Sequence, residues 1–409
     1  MSNLYKLNNN KEKAIKGILL SLLMYGLLFE NILEKYIPIL GNIDEVVGVV
    51  IIALGIVEII RAKGKNACVM NSNKILLSIA IFIAIGLAGN IIYGYQYIQY
   101  ALKEILTLRG LVCYAMIPIV FSEFNIDDYK VMINKNLKVI TIVLFLLTVL
   151  NLFLSIFPYY EVRFNIKAQQ LLFTHPTYLA TTGTLIIAML SGLLYEDKKN
   201  YIYIVLMYIV VLLTLRTKAI IFLMLYIYLL FIIEFRKRKL MLVDFIILGA
   251  IVVGISINQV TEYLQNPDWA RSAISINSVK IAESHFPFGS GFGTFGTWIS
   301  GVNYSPLYFT YNMQTIWGLA PDYYNFVSDT FWPMILAQFG FIGLIIFIYI
   351  LSKIYINIKN NTNIYKYFGQ ISILAYLVSS SIGESSFMGP QSLIAFIIIA
   401  LLNERDEVI

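Results

Sequence analysis

The sequence predicts an all-α polytopic integral membrane protein of about 12 transmembrane helices with one long, partly helical extracytoplasmic loop. Charged residues make up only 13% of its 409 residues, against roughly 25% in a typical soluble domain. Hydrophobic residues reach 59% and mean hydropathy is +0.75. Apolar runs near the roughly 20 residues that cross a bilayer recur along the whole chain. Cys68 and Cys113 form neither a disulfide framework nor a metal-ligand spacing. His175 and His285 cannot build a His-rich metal site, so no metal or cofactor is expected. Lys6, Lys11, Lys13 and Lys16 precede an apolar stretch that lacks a small-residue cleavage site, so no cleavable signal peptide is expected.

The spans fall at about residues 17–33, 45–60, 75–92, 104–121, 139–158, 172–195, 201–215, 219–234, 241–257, 330–351, 367–383 and 390–402. Residues 1–257 thus hold nine spans, 258–329 the long loop and 330–409 the last three spans. Cytoplasmic loops collect Lys and Arg. With the N-terminus inside, inner segments hold 21 of the 30 basic residues and outer segments eight, with Arg109 inside the fourth span. This bias predicts both termini in the cytoplasm and accounts for the net charge of +6 without nucleic acid. The inner residues are mostly lysines, among them Lys130, Lys138, Lys198, Lys199, Lys237 and Lys239, whereas Arg109, Arg163, Arg216 and Arg271 lie toward the outside. Arginine's planar fork of donors suits phosphate and carboxylate, so an outside anionic ligand is expected, with snorkelling and surface pairing as the alternative.

The loop is too long to be structureless. In "NPDWARSAISINSVKIAES", Asn266 is the expected N-cap and Pro267 the first helical residue. Ala270, Ile274 and Ile281 share one face of that helix, and Arg271, Ser275, Ser278 and His285 lie along another. Aromatic residues crowd the remainder of the loop, suited to the headgroup belt or to stacking on sugar rings. The helix runs into "HFPFGSGFGTFGTW", where Gly291, Gly293 and Gly296 match G-x-G-x-x-G. A dinucleotide fold needs that pattern between a buried strand and a helix, so the context excludes it. Glycine turns do expose backbone N–H groups, which leaves a phosphate contact open alongside a tight turn packed on the bilayer.

These features together resemble the O-antigen polymerase and ligase superfamily, and within it the Wzy-like polysaccharide polymerases. The family pattern is an arginine-led amphipathic helix followed by P-x-G-x-G in a long outer loop; here Arg271 precedes Pro287, Gly289 and Gly291. "SDTFWPMILAQFGFIGLI" resembles the late span of the family through Gln338, Gly340 and Gly343. "RFNIKAQQLLFTHPTYLA" and "LTLRTKAII" resemble two further family segments and place Arg163, His175, Pro176 and Arg216. One position departs from the family: ligases carry a histidine eleven residues before the late-span glycine, where this chain has Asp329. The departure favours polymerase over ligase.

The resemblance implies transfer of a growing glycan from a polyprenyl (undecaprenyl) pyrophosphate to a lipid-linked repeat unit, at the outer face of a bacterial plasma membrane. The product would be O-antigen or capsular polysaccharide, and a flippase and a chain-length regulator are the implied partners. Arg163, Arg216, Lys218 and Arg271 are the candidates to neutralise the pyrophosphate. Asp329 is the first candidate for the base, Glu161 the second and His285 the third; His285, Gly289 and Gly291 are further candidates for substrate contact. Asp329 could instead be a helix N-cap together with Ser328. Glu384, in the outward turn "GESSFMGP", is a candidate for acceptor contact. The alternatives are an O-antigen-type ligase and a lipid-linked oligosaccharide flippase, although the two-halves repeat common in transporters is not evident.

Overall fold

The computed structural model describes residues 20–61, 67–121, 128–266 and 268–403. Helix α1 (20–28) leads into α2 (Glu30–Tyr36), α3 (Ile43–Arg61), α4 (Ala67–Tyr93), α5 (Ile98–Ile105), α6 (Arg109–Val120) and α7 (Lys130–Leu154). A hairpin, β1 (Tyr159–Arg163) and β2 (Ile166–Gln169), precedes α8 (Pro176–Gly192), α9 (Asn200–Leu212), α10 (Thr217–Glu234) and α11 (Leu242–Gln265). The loop contributes α12 (Ala270–Ser284), α13 (Trp298–Val302) and α14 (Pro306–Thr310); α15 (Trp332–Asn360), α16 (Ile364–Ser380) and α17 (Pro390–Leu401) come after it. Helix α8 is buried along most of its length, packing on α9 and α16, while α17 packs on α6.

The expectation of a helical membrane protein holds at this level. Among the described residues, four helices are long and apolar enough to cross a membrane: Ser72–Tyr93, Lys130–Leu154, Thr217–Glu234 and Trp332–Asn360. Phe153 (82%), Leu242 (81%) and Ile91 (80%) project outward almost fully exposed. Such surface is unfavourable in water at about 25 cal/mol per Å², but hydrocarbon imposes no such cost.

Several expected spans are shorter or interrupted. The seventh and last are helices of 13 and 12 residues. The fourth is split, with a 3₁₀ turn at Leu106–Leu108 between α5 and α6. The sixth begins only at Pro176, so residues 172–175 precede the helix. The ninth continues to Gln265, which makes Asn266 a C-cap rather than the expected N-cap; α12 starts at Ala270 behind Trp269. Pro267 lies outside the described residues.

The all-α expectation also misses the hairpin. Its two-residue turn, Phe164 and Asn165, has φ of 53° and 59°, the paired left-handed geometry that matches strand twist. A phenylalanine at such a φ is rare, which is why no turn signal is legible there.

Polar groups separate to two ends. At one, Lys130 pairs Glu196 (2.7 Å), Lys138 pairs Asp197 (2.5 Å) and Arg238 pairs Asp244 (2.5 Å). Lys239 Nζ joins them by donating to the carbonyls of Lys359 and Asn361, both at 2.6 Å. The described starts and ends of the chain lie here too: Ser21 reaches Met132 and Leu402 O accepts from Asn361 Nδ2. At the other end gather Glu161, Arg163, Arg216, Glu384, Asp329 and Arg271.

Helix α15 is broken at Gly340 (φ 63°, ψ −171°). Next to the break, the carbonyls of Ala337 and Gln338 accept from the N–H groups of Ser290 and Gly291, each at 2.9 Å. Asn90 of α4 grips the same turn from the other side: Phe292 N–H donates to Asn90 Oδ1, and Asn90 Nδ2 donates to Phe292 O, both at 2.8 Å. A Cβ on Gly340 would stand 2.5 Å from Pro287 O and 2.9 Å from Gly289 N. We therefore expect Gly340→Ala to destabilise the protein by about 2 kcal/mol or more, read as a lower thermal unfolding midpoint in detergent micelles. Gly249→Ala, whose Cβ would meet nothing within 4 Å, should leave the midpoint unchanged.

Candidate functional site

The site is built at the end away from the lysine cluster by six segments: the hairpin, the starts of α8, α10 and α12, and the stretches ahead of α15 and α17. Alternation along β1 puts Glu161 and Arg163 on one face. Their carboxylate and guanidinium meet at 3.1 Å. Arg216 precedes α10 in extended conformation, set there by Leu215 at φ 54°. It donates from Nη1 to Glu161 Oε1 at 3.1 Å and lies 4.5 Å above the Tyr160 ring. Its Nη2 stands 2.5 Å from His175 Nε2.

His175 caps α8: its Nδ1 accepts from the Thr177 N–H at 3.2 Å, and Pro176 occupies the first helical position. Both ring nitrogens therefore face donors. A neutral imidazole has one acceptor nitrogen, so the two contacts compete and Arg216 is not locked to the ring. Burial, with Arg216 and Lys218 nearby, pushes the His175 pKa down to about 4; the ring is neutral at neutral pH. Burial also lowers the pKa of Arg216, and its Nε–H is a buried donor with no hydrogen-bond partner. Such a donor is costly unless something occupies it.

Two more ion pairs continue the row. Lys218 Nζ pairs with Glu384 Oε2. Arg271 Nη2 pairs with Asp329 Oδ2 at 2.9 Å. Ser385 Oγ donates to Ser328 O at 3.2 Å and ties the two together, and Asp329 lies within electrostatic reach of both Glu384 and Lys218. Burial raises the Asp329 carboxyl pKa against the opposing pull of Arg271. Four cations thus face three carboxylates in one continuous strip. A polyanion can take over such donors one by one.

The structure brings Arg163, Arg216, Lys218, Glu161, Asp329 and Arg271 to this one end, a convergence that the sequence does not give. Asp329 is not the helix cap that was its alternative, since Phe331 stands at that position. Glu384, expected only at acceptor contact, is the partner of Lys218. Tyr160 escapes a reading of the sequence; its one signal is its position next to Glu161 on an exposed strand.

Three expectations are corrected. Gly289 and Gly291 are buried, and the N–H groups of residues 289–292 bond His285 O, Ala337 O, Gln338 O and Asn90 Oδ1. None of those amides is left for a phosphate. His285 is 5% exposed, with Nδ1 2.7 Å from Ile281 O and Nε2 2.9 Å from Tyr95 Oη; it is packed, not presented. Arg109 is sealed in an ion pair with Asp44 and cannot meet an outside anion.

Among the described residues no group of three His, Cys, Asp or Glu side chains could hold a metal ion. No protein-family model matches this sequence, and neither does any curated protein compared with it.

The Lys218–Glu384 pair is largely buried, at 17% and 25% side-chain exposure. Removing one partner of a buried pair costs about 3 kcal/mol, because the other is left uncompensated. Lys218→Met should therefore lower the unfolding midpoint clearly. Lys218→Met combined with Glu384→Leu should restore most of it, a coupling measurable by a double-mutant cycle.

Proposed function

We propose that the protein is a polysaccharide polymerase of the O-antigen polymerase type. It transfers a growing glycan from a polyprenyl pyrophosphate to a lipid-linked repeat unit. The observation that carries this reading is the strip of four cations, drawn from the hairpin, the start of α10 and α12, beside a carboxylate whose pKa burial raises. The loop motif from Arg271 to Gly291, docked on Gln338 and Gly340, supports the same assignment.

In this reading an acceptor hydroxyl attacks the anomeric carbon of the donor glycan. The bond from that carbon to the pyrophosphate oxygen breaks, and the polyprenyl pyrophosphate leaves with the bonding pair. Arg216, Arg163, Lys218 and Arg271 take up the growing charge on its oxygens. Asp329 receives the hydroxyl proton. Its raised pKa makes it the better base, whereas Glu161 Oε1 already accepts from two guanidiniums, Arg163 and Arg216.

The same reading takes the chain to cross a bacterial plasma membrane about twelve times, with the strip at the outer face and both termini in the cytoplasm. Shorter helices such as α9 and α17 then complete crossings with their flanking turns. The lysine-rich end and the arginine-bearing end support this orientation. A flippase and a chain-length regulator would act before and alongside such an enzyme.

Arg271→Ala tests the function. With protein level unchanged, the surface-glycan ladder on gels should collapse to single repeat units. Long chains that persist on the lipid carrier but never reach their final acceptor would identify a ligase instead, and an unaltered ladder would remove Arg271 from the site. Asp329 supplies a pH test. A base with a raised pKa is protonated first as pH falls, so polymerisation by membranes should decline on an acidic limb lying above the ordinary carboxylate range. Asp329→Asn should lower the rate by at least about 100-fold and abolish that limb. Since His175 is already neutral at neutral pH, His175→Gln should leave the limb in place.

A further inference from the structure

Beside the ionic strip lies a half-open cavity of about 80 Å³, walled by α1, α2, the turn before α3, α8 and the start of α17. That is space for several water-sized groups. Its wall includes Glu30, which is only 5% exposed. Glu30 Oε1 accepts from the Asp44 N–H at 3.2 Å, but its buried Oε2 has no hydrogen-bond partner. Arg109, the nearest cation in charge terms, is engaged by Asp44. A second carboxylate, Glu34, stands exposed on the same cavity and packs over Gly41.

The cavity also carries open donors. Asn31 Oδ1 accepts from the N–H and the hydroxyl of Thr174 at 2.9 and 3.0 Å, which leaves its NH₂ group to the cavity. Gln391 Oε1 accepts from the Thr181 hydroxyl at 3.1 Å and leaves its NH₂ likewise. Tyr178 adds a ring and a hydroxyl, and its side chain lies within electrostatic reach of Glu34, Glu384 and Glu30. It thus spans the ground between the cavity and the Lys218–Glu384 pair. A small cation would call for acceptors alone. Carboxylate acceptors interleaved with amide donors beside an aromatic ring instead match a group whose hydroxyls both donate and accept.

We propose that this cavity is a binding subsite for the hydroxyl-bearing edge of a neutral sugar ring, held by Glu30, Glu34, Asn31, Gln391 and Tyr178. The proposal rests on the glycan-transfer reading and deepens it: the ionic strip takes the pyrophosphate, and the cavity takes a sugar of the glycan beside it. Sugar hydroxyls donate to Glu30 Oε2 and Glu34 and accept from the two amides, with no covalent step.

The test uses the full-length protein in lipid nanodiscs and a phosphate-free probe, the oligosaccharide repeat released by mild acid from the cell's own surface glycan. Saturation-transfer NMR titrations read its affinity. Glu34→Gln and Gln391→Ala should each weaken binding roughly tenfold, as expected for a lost charged or amide hydrogen bond, while Arg216→Ala leaves it unchanged. Matching unfolding midpoints show that the variants are folded. The proposal is overturned if the wild type shows no saturable binding, if the cavity variants bind as well as wild type, or if binding is lost with Arg216→Ala. It is also overturned if glucosamine hydrochloride binds in a Glu34-dependent way while the neutral oligosaccharide does not, since the site would then be cationic in preference. Failure of the parent reading looks different: an intact glycan ladder in Arg271→Ala cells, with cavity binding preserved. A collapsed ladder without cavity binding sinks the subsite alone.

Discussion

The docking of the glycine turn on the broken helix is the constraint on which the rest of the structure depends. A helix that breaks among apolar neighbours exposes carbonyls with no water to receive them. Here the break at Gly340 is tolerable because Ser290 and Gly291 supply the missing donors. They can do so only because neither backbone carries a side chain at the contact: Cβ atoms on Gly289 and Gly340 would stand 2.4 Å from Gly340 N and 2.5 Å from Pro287 O. The same contact fixes the end of α12 relative to the start of α15. It thereby sets Arg271, in the first turn of α12, against Asp329, just ahead of α15.

Charge arrangement is the second determinant. Every cation of the strip is held by a carboxylate, so the site is assembled before any ligand arrives, with one positive charge in excess. The pairing is uneven. Glu161 is shared by two arginines, and Arg216 keeps a buried Nε–H without a partner. Its contact with His175 competes with the capping bond of α8. The strip is therefore arranged to exchange partners. By contrast, Arg109 and Asp44 form a sealed pair whose role is to hold α3 against α6.

Much of this was legible in the sequence. Composition and recurrent apolar runs determined a helical membrane protein, because hydrocarbon tolerates only backbones that satisfy their own hydrogen bonds. The charge of each loop, a local property, set the expectation of two differently charged ends. The arginines and Asp329 could be singled out as candidates because their residue types carry the chemistry. What only the tertiary structure decided depends on contacts across long separations. Gly289 and Gly291, candidates for a phosphate contact, turned into packing surface when the carbonyls of His285 and Gln338 took their amides. His285 was buried against Tyr95, 190 positions away. The hairpin escaped notice because a phenylalanine holds its turn. Glu30 drew no reading from the sequence, because its burial depends on the Asp44 N–H and on a cavity wall shared with α8 and α17. Residue types and their local order announce the solvent and the chemistry; which donors remain free is settled only when distant backbones meet.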